Sequence, residues 1–325
     1  MAGRPALPGK AHVINNGTNQ PGAGRAPADK GGVGQGGAVA VAAIPDVQGT
    51  RDTRNVAIDR VGVKGVTYPI RLAQAPRVGG GEQSTVAMIN MYVALPAEQK
   101  GTHMSRFLEA LNDQHAGTMP AVTPQSIPDI TRSIARRLKA SRAHFSAEFT
   151  YFIQKAAPVT GQVGLMDYRV SFSCDGGPDD DGDVDFVMGV TAPATSLCPC
   201  SKEISRFGAH NQRCLIEAKV RMVPGKGVLW IEDLVSLLEG AASCQVYSVL
   251  KRPDEKHVTE EAYENPKFVE DIVRDLALAM EGEPRIGWYS IGSENFESIH
   301  NHNAYARITR SKGGFPCRGG AADEA

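Results

Sequence analysis

The chain has 325 residues, of which 42% are hydrophobic, so it can bury a sizeable core. Its 35 basic and 36 acidic side chains give a formal net charge of −1, which argues against a nucleic-acid-binding surface. No apolar run is long enough for a membrane span, and the N-terminus lacks the apolar core of a secretory signal. Six cysteines are too few for a disulfide scaffold. We therefore expect a cytoplasmic protein whose paired thiols bind a metal or take part in redox chemistry.

The composition of the chain also predicts its division into segments. Residues 1–45 are rich in Gly, Ala and Pro and show no periodic apolar face, so we predict that they are disordered. Two folded units follow, at residues 46–177 and 178–310, with an acidic turn between them. We expect residues 311–325 to form a flexible tail.

In the first unit, period-two alternation of apolar residues predicts two strands, near residues 61–63 and 85–93. Two stripes at helical spacing come next, and Ser126 with Pro128 is typical of the start of the second helix. The stripes are Met104, Phe107, Leu108 and Leu111, and Ile127, Ile130, Ile134 and Leu138. Two long strands follow, near residues 145–153 and 166–174.

The second unit repeats this order. Strands are predicted near residues 184–190 and 214–222, and a helical stripe comprises Ile231, Leu234, Val235 and Leu238. A second helix is predicted to begin with Asn265 as its cap and Pro266 at its first position. Residues 286–293 and 298–309 are expected to close the unit as a strand pair. Strand–strand–helix–helix–strand–strand, twice over, predicts an α+β fold of antiparallel sheets with paired helices on one face.

One loop carries most of the residues suited to chemistry. In TSLCPCSKEISRFGAHNQ (195–212), the thiols of Cys198 and Cys200 flank a proline, and His210 follows. A thiolate and an imidazole suit a borderline-soft divalent ion such as zinc. Spacing alone does not decide which cysteine is the ligand. Two ligands leave the coordination shell incomplete, so such a site needs a third protein group and could keep an open position for water.

These motifs also resemble a known family. SLCPCSKEIS followed by GAHNQR resembles the type IB GTP cyclohydrolase I family, and the similarity extends over residues 46–310. It includes DVQGTRDTRNVAIDRVGVKGV, QKGTHMSRF, CQVYSVLKRPDEKHVTE, ENPKFVEDIVRDLA and ENFESIHNHNAYA. The resemblance implies tandem tunnelling-fold units that assemble into a homo-oligomer, expected to be a tetramer, with active sites at subunit interfaces. It implies that GTP is hydrolysed to 7,8-dihydroneopterin triphosphate and formate, the first step of tetrahydrofolate biosynthesis.

The resemblance also implies roles for individual residues. The metal ligands would be Cys198, His210 and Glu255, with Cys200 as a neighbour. The ion would be one divalent metal per site, zinc, manganese or iron(II), and no organic cofactor is implied. A mixed soft and hard donor set does not select among these metals.

Further residues of the motifs are implied to act on the substrate. Glu297 and His300, in an E-x-x-H pattern, would join Cys198 as catalytic residues, and His300 has the pKa range to carry protons near neutrality. Glu270 would anchor the guanine edge through paired hydrogen bonds. The triphosphate needs cations, for which we predict Lys202, Arg206 and Arg213, although Lys251, Arg252 and Arg106 are equally available by sequence.

Two other functions remain open at the level of sequence. A related enzyme, such as a nitrile reductase, would use the cysteine as a covalent nucleophile and would need NADPH. In a non-catalytic assembly protein, the metal would have only a structural role and would hold a loop in place. Turnover without metal would favour the first, and metal-dependent folding without turnover would favour the second.

Overall fold

The computed structural model describes residues 46–115, 120–179 and 184–316. The segment 1–45, predicted to be disordered, and residues 317–325 of the predicted tail lie outside these ranges. The described part of the tail is anchored to the sheet, because the Lys312 backbone N–H donates to the Gly287 carbonyl at 2.8 Å.

The first unit contains four strands and two helices in the predicted order. They are β1 (Ile58–Ala73), β2 (Glu82–Leu95), α1 (Ser105–His115), α2 (Ile127–Leu138), β3 (Ala143–Ala156) and β4 (Val163–Gly176).

The second unit repeats the order and adds a short helix, a short strand and a further helix. Its elements are β5 (Val184–Leu197), α3 (Pro199–Ile204), β6 (Asn211–Met222), α4 (Ile231–Gly240), β7 (Cys244–Gln245), α5 (Arg252–Glu264), α6 (Val269–Gly282), β8 (Ile286–Asn295) and β9 (Ala304–Ser311). None of the described helices is both long and apolar enough to span a lipid bilayer.

Both units contribute to one antiparallel sheet. The strand order is β1-β2-β3-β4-β5-β6-β8-β9, and β7 pairs with β5. The junction between the units is an ordinary pairing of β4 with β5, in which Gly176 faces Val184 and Arg169 faces Thr191. The α+β fold and the tandem tunnelling-fold order predicted from the sequence are confirmed.

The alternation seen in the sequence places the helices on one face of this sheet. In β3, Phe145, Ala147, Phe149 and Tyr151 are buried and belong to a core that includes apolar residues of α1, α2, α4 and α6. The alternate residues, such as Glu148, point to the other face and are more exposed. That face carries mostly polar side chains, which is typical of an antiparallel sheet covered on one side.

The start of α2 differs from the prediction. Ser126 stands at the N-cap position, but its side chain makes no capping hydrogen bond. A 3-10 turn, Pro124–Ser126, comes first, and the Thr123 hydroxyl accepts from the Ser126 N–H at 3.2 Å. Thr123 therefore begins the helical segment three residues earlier than predicted.

The assignment of Asn265 and Pro266 to a helix start is wrong. Asn265 lies at the C-terminal end of α5, and its side chain donates to the Ala242 and Ser243 carbonyls at 3.0 Å. The next helix begins at Val269, where the Asp271 carboxylate accepts from the Phe268 N–H at 3.0 Å. Residues 252–255 form the first turn of α5, a helix that no apolar stripe predicts.

The antiparallel order determines where the candidate site lies. The β5–β6 connection and the β8–β9 connection are at the same end of the sheet, because Cys214 of β6 pairs with Asn295 of β8. β7 reaches this end too, since Cys244 pairs with Thr195 near the end of β5. Three connections of the second unit therefore meet there.

Candidate active site

Cys198 lies at the point where β5 ends and α3 begins. Pro199 occupies the first helical position, which its fixed φ angle suits, and Cys198 is the N-cap. The Cys198 Sγ accepts a hydrogen bond from the Ser201 N–H at 3.4 Å. The sulfur is thus half-buried and held by a backbone donor, an arrangement compatible with a thiolate ligand.

His210 closes the same loop opposite Cys198. The Cys198 N–H donates to the His210 carbonyl at 3.1 Å, which continues the β5–β6 pairing of Leu197 with Asn211. Ser201 joins the two residues, since its hydroxyl donates to the Cys198 carbonyl and accepts from the His210 N–H at 3.2 Å. The spacing of Cys198 and His210 in sequence is therefore the length of one hairpin connection, as the sequence suggested.

The imidazole of His210 is oriented by side chains of two different segments. Its Nδ1 lies 2.8 Å from Gln212 Oε1 and 3.4 Å from the Ser298 hydroxyl. The Gln212 amide nitrogen donates to Glu297 Oε1 at 3.4 Å. With Nδ1 engaged in this way, Nε2 is the ring nitrogen available to a metal.

Glu297 and His300 both lie in the β8–β9 connection, and the strand predicted from residue 298 begins only at Ala304. Glu297 is half-buried and reaches His210 through Gln212, so the structure brings two predicted site residues into one network. His300 is exposed, and its ring stacks on His302 with centroids 5.1 Å apart. Gln212, Ser201 and Ser298 were not predicted from the sequence.

The donor set fits a divalent ion in part. Cys198 and His210 present a sulfur and an imidazole nitrogen of the type that zinc, manganese or iron(II) accepts. Glu255 is exposed in the first turn of α5. Within residues 46–115, 120–179 and 184–316, no three His, Cys, Asp or Glu side chains form a group that could hold a metal ion. The predicted triad is therefore not gathered in this single chain, and Glu255 stays a prediction.

Burial separates the candidate thiols from the other described cysteines. Burial raises the pKa of Cys174, Cys214 and Cys244 to about 12, which keeps these three thiols protonated. For Cys244, the neighbouring Glu261 carboxylate adds to this effect. Cys198 and Cys200 lie outside the core, and Cys198 alone of the two is hydrogen-bonded to Ser201 and His210.

The predicted substrate-binding residues have different surroundings. Lys202 donates to the Tyr263 carbonyl, and its nitrogen lies 4.4 Å from the centroid of the Tyr263 ring, so it ties α3 to the end of α5. Arg206 lies over Phe207, and Arg213 is exposed at the start of β6. Glu270 is exposed in the first turn of α6, and its anchoring role stays a prediction. Arg106 belongs to α1, which follows β2 at the end of the sheet opposite the candidate site.

Exposed apolar side chains lie in the same two connections as Cys198, His210 and Glu297. Phe207 is 92% exposed and Ile204 78% exposed in the 198–210 loop, and Ile299 is 65% exposed in the β8–β9 connection. Such a concentration of apolar surface beside polar site residues is typical of a surface that another chain covers.

Fold and site together define a tandem tunnelling-fold protein with a thiol–imidazole pair at one end of its sheet. The sequence model of the family described as "Type I GTP cyclohydrolase folE2" matches residues 44–306. The chain belongs to this family.

Named relatives support this assignment. The GTP cyclohydrolase FolE2 of Azoarcus sp. (strain BH72) is 51% identical over 270 residues, 83% of this chain and 96% of that protein. The GTP cyclohydrolase FolE2 of Syntrophobacter fumaroxidans is 51% identical over 267 residues, 82% of this chain and 99% of that protein. Among solved structures, uricase from Arthrobacter globiformis aligns with a TM-score of 0.44 and 10% identity, over 80% of this chain and 96% of that one.

Proposed function

We propose that this protein is a GTP cyclohydrolase, which hydrolyses GTP to 7,8-dihydroneopterin triphosphate and formate at the start of tetrahydrofolate biosynthesis. The observation that carries the proposal is the family match over residues 44–306. Two relatives named GTP cyclohydrolase FolE2 are 51% identical to this chain, and the alignments cover 96% and 99% of their length.

Cys198 and His210 would hold a divalent metal, with Glu255 as the proposed third ligand. The metal would supply a Lewis acid, which lowers the pKa of water enough to make hydroxide accessible near neutral pH. The hairpin connection positions the two donors, because Ser201 bonds to the backbone of both residues.

The other residues would act on the purine. Water adds to C8 of the imidazole ring, and His300 carries a proton to the ring nitrogen as the C8–N bond breaks. A second hydrolysis releases C8 as formate, and the ribose then rearranges to a ketone, which condenses with the freed amine and loses water to close the new six-membered ring. Glu270 would accept the ring N–H and the exocyclic amine of the guanine edge, which a carboxylate can do with both oxygens.

We propose that the active enzyme is a homo-oligomer, a tetramer, in which each site lies at a subunit interface. Two observations support this. The three proposed ligands do not form one group among the described residues of a single chain, and apolar side chains such as Phe207 and Ile299 stand exposed beside the thiol–imidazole pair.

Sedimentation of the Phe207→Asp variant should show smaller species, since a charge there opposes burial. An unchanged sedimentation coefficient would contradict the proposed interface.

Incubation of chelator-treated protein with GTP tests the enzymatic function. We expect no turnover until zinc, manganese or iron(II) is added, followed by release of formate and the absorbance of the pterin product. Cys198→Ala and His210→Ala should abolish this turnover, whereas the matched variant Cys200→Ala, at an exposed thiol, should retain it. Full turnover in the presence of chelator would contradict the metal-dependent mechanism.

Glu270→Ala tests the anchoring role separately. Loss of hydrogen bonds to an ionised acceptor costs about 1.5–3 kcal/mol, so kcat/KM for GTP should fall at least tenfold while metal content stays at the wild-type level. Loss of the metal together with activity would show that Glu270 acts in ligation or folding instead.

A further inference from the structure

Gln212 is a buried polar residue at the second position of β6, directly beside the proposed metal ligands. It is only 7% exposed, and both ends of its amide are engaged. Its oxygen faces Nδ1 of His210 at 2.8 Å, and its nitrogen faces Glu297 Oε1 at 3.4 Å. A buried primary amide requires such partners, so this conformation is specified by its neighbours.

The chemistry of these neighbours determines the orientation of the amide. The NH2 group of Gln212 is the end that faces Glu297, and it donates to Glu297 Oε1. The amide oxygen then faces His210 and can only accept, which means that His210 donates from Nδ1. Rotating the amide by half a turn would oppose its oxygen to the Glu297 carboxylate. In a neutral imidazole, this contact favours the tautomer with the ring hydrogen on Nδ1 and the lone pair on Nε2.

The backbone around Gln212 makes this arrangement rigid. Gln212 pairs with Ser196 in the β5–β6 ladder, and the adjacent Arg213 carbonyl accepts from the Phe296 N–H at 3.0 Å. The second contact pulls the start of the β8–β9 connection against β6, which sets Glu297 within reach of the amide. The side chain thus connects the histidine of one loop with the acid of another.

We propose that Gln212 is a positioning residue: it fixes the tautomer of His210 that exposes Nε2 to the metal, and it holds Glu297 at a set distance from that histidine. This inference rests on the proposed function, since the metal and the reaction are those of the proposed cyclohydrolase. Residues that orient a metal-ligating histidine affect metal affinity or activity by about 10–100-fold.

Two substitutions at Gln212 separate its two roles. Gln212→Met keeps the length of the side chain but removes both hydrogen bonds, so affinity for zinc or manganese, measured by competition with a chromogenic chelator, should fall about 10–100-fold. Gln212→Glu keeps an acceptor for His210 but places a second carboxylate against Glu297. It should bind metal nearly as wild type does, yet lose turnover at saturating metal.

Gln83 provides a matched control. Its amide also makes two hydrogen bonds, both to the Phe152 backbone at 3.0 Å, in a strand of the first unit. Gln83→Met should leave metal affinity unchanged. Wild-type metal affinity in Gln212→Met would overturn the proposal, and so would equal loss of affinity in Gln212→Met and Gln212→Glu, because packing alone would then explain the effect.

A measurement on the metal-free protein keeps this test independent of the enzymatic function. Long-range nitrogen–proton correlation spectra of histidine-labelled protein report which ring nitrogen carries the hydrogen. We expect the Nδ1–H form of His210 in the wild type and in Gln212→Glu, and a shift toward the Nε2–H form in Gln212→Met. An Nε2–H form in the wild type would overturn the inference even if the protein proves to be a cyclohydrolase. If His210 of the wild type carries its hydrogen on Nδ1 but the protein binds no metal, the result would contradict the proposed function instead.

Discussion

The two units of this protein share one order of strands and helices and differ in the segments that connect them. In the first unit, β1 and β2 are joined by eight residues that contain a single 3-10 turn, Pro76–Val78. The corresponding β5–β6 connection contains α3 and both candidate ligands. The β3–β4 connection is a short turn, whereas the β8–β9 connection carries Glu297 and His300. The sheet common to both units is thus a scaffold, and the residues proposed to act in catalysis lie in connections of the second unit.

The connections of the first unit instead support those of the second. The β3–β4 turn donates two backbone hydrogen bonds, from Val159 and Thr160, to the fully buried Asp254 carboxylate at the start of α5. The β1–β2 connection donates from the Ala75 N–H to the buried Glu232 of α4 at 3.0 Å. The second unit therefore carries the proposed reacting groups, and the first unit contributes contacts that hold α4 and α5.

The largest expected effect is on turnover, and it should distinguish the β8–β9 connection from the β3–β4 connection. His300→Ala removes the proposed proton carrier of the β8–β9 connection, so turnover should fall about 10²–10⁴-fold with metal content intact. The matched change in the β3–β4 connection, Val159→Ala at a 54% exposed position, should leave turnover unchanged. Equal turnover rates in wild type and His300→Ala would contradict the proposal that the β8–β9 connection of the second unit takes part in catalysis.

A second pair of variants compares the cores of the two units. Ile134 of α2 is 1% exposed and Leu276 of α6 is fully buried, and both belong to the same core cluster. Ile134→Ala and Leu276→Ala should each lower the free energy of unfolding by about 2–5 kcal/mol. Because one sheet runs through both units, urea unfolding should remain a single transition in each variant. Two separate transitions would show that the units fold independently.

The smallest expected effect is on the free energy of unfolding, and it concerns the β4–β5 junction between the units. There Asp175 of β4 faces Asp185 of β5. Each carboxylate has partners from its own unit: Asp175 contacts His144 at 3.0 Å and Arg60 at 3.7 Å, and Asp185 contacts Arg221 at 2.6 Å. Burial acts to raise the pKa of Asp175, but the His144 hydrogen bond and the nearby positive charges outweigh it and leave that pKa below its usual range.

A depressed pKa in the folded state stabilises the protein above the unfolded value of about 3.9, and this stabilisation is lost as pH falls below it. The Asp175→Asn variant should therefore be less stable than wild type near pH 6, by about 1 kcal/mol, and the difference should shrink toward pH 3. Urea unfolding across this range measures it. A difference that does not change with pH would rule out the ion pair as its cause.

Periodicity predicted the sheet and most of the helices because their buried faces are regular. It missed α5, since only Asp254 and Ala262 of this helix are buried and a mostly charged helix leaves no apolar stripe. Asn265–Pro266 was assigned to the wrong helix end because the pair fits both a helix start and the segment that follows a helix.

The candidate site was predictable to the extent that residue type implies chemistry. The adjacency of Cys198 and His210 followed from their spacing, and the roles of Glu297 and Glu255 depended on family resemblance. Gln212 and Ser298 could not be predicted, because an amide or hydroxyl that orients a neighbour leaves no pattern along the chain. Their contribution depends on pairings between segments that are distant in sequence.

The strands at the two margins of the sheet are unequal in length, with 16 residues in β1 and 8 in β9. If copies meet margin to margin, β9 can cover only half of β1. β1 also carries features that oppose an added strand, because its register with β2 shifts twice before Val66, and Pro69 has no N–H to offer. Such a contact would join different strands of the two copies, so it would give a closed ring where the rotation from copy to copy closes.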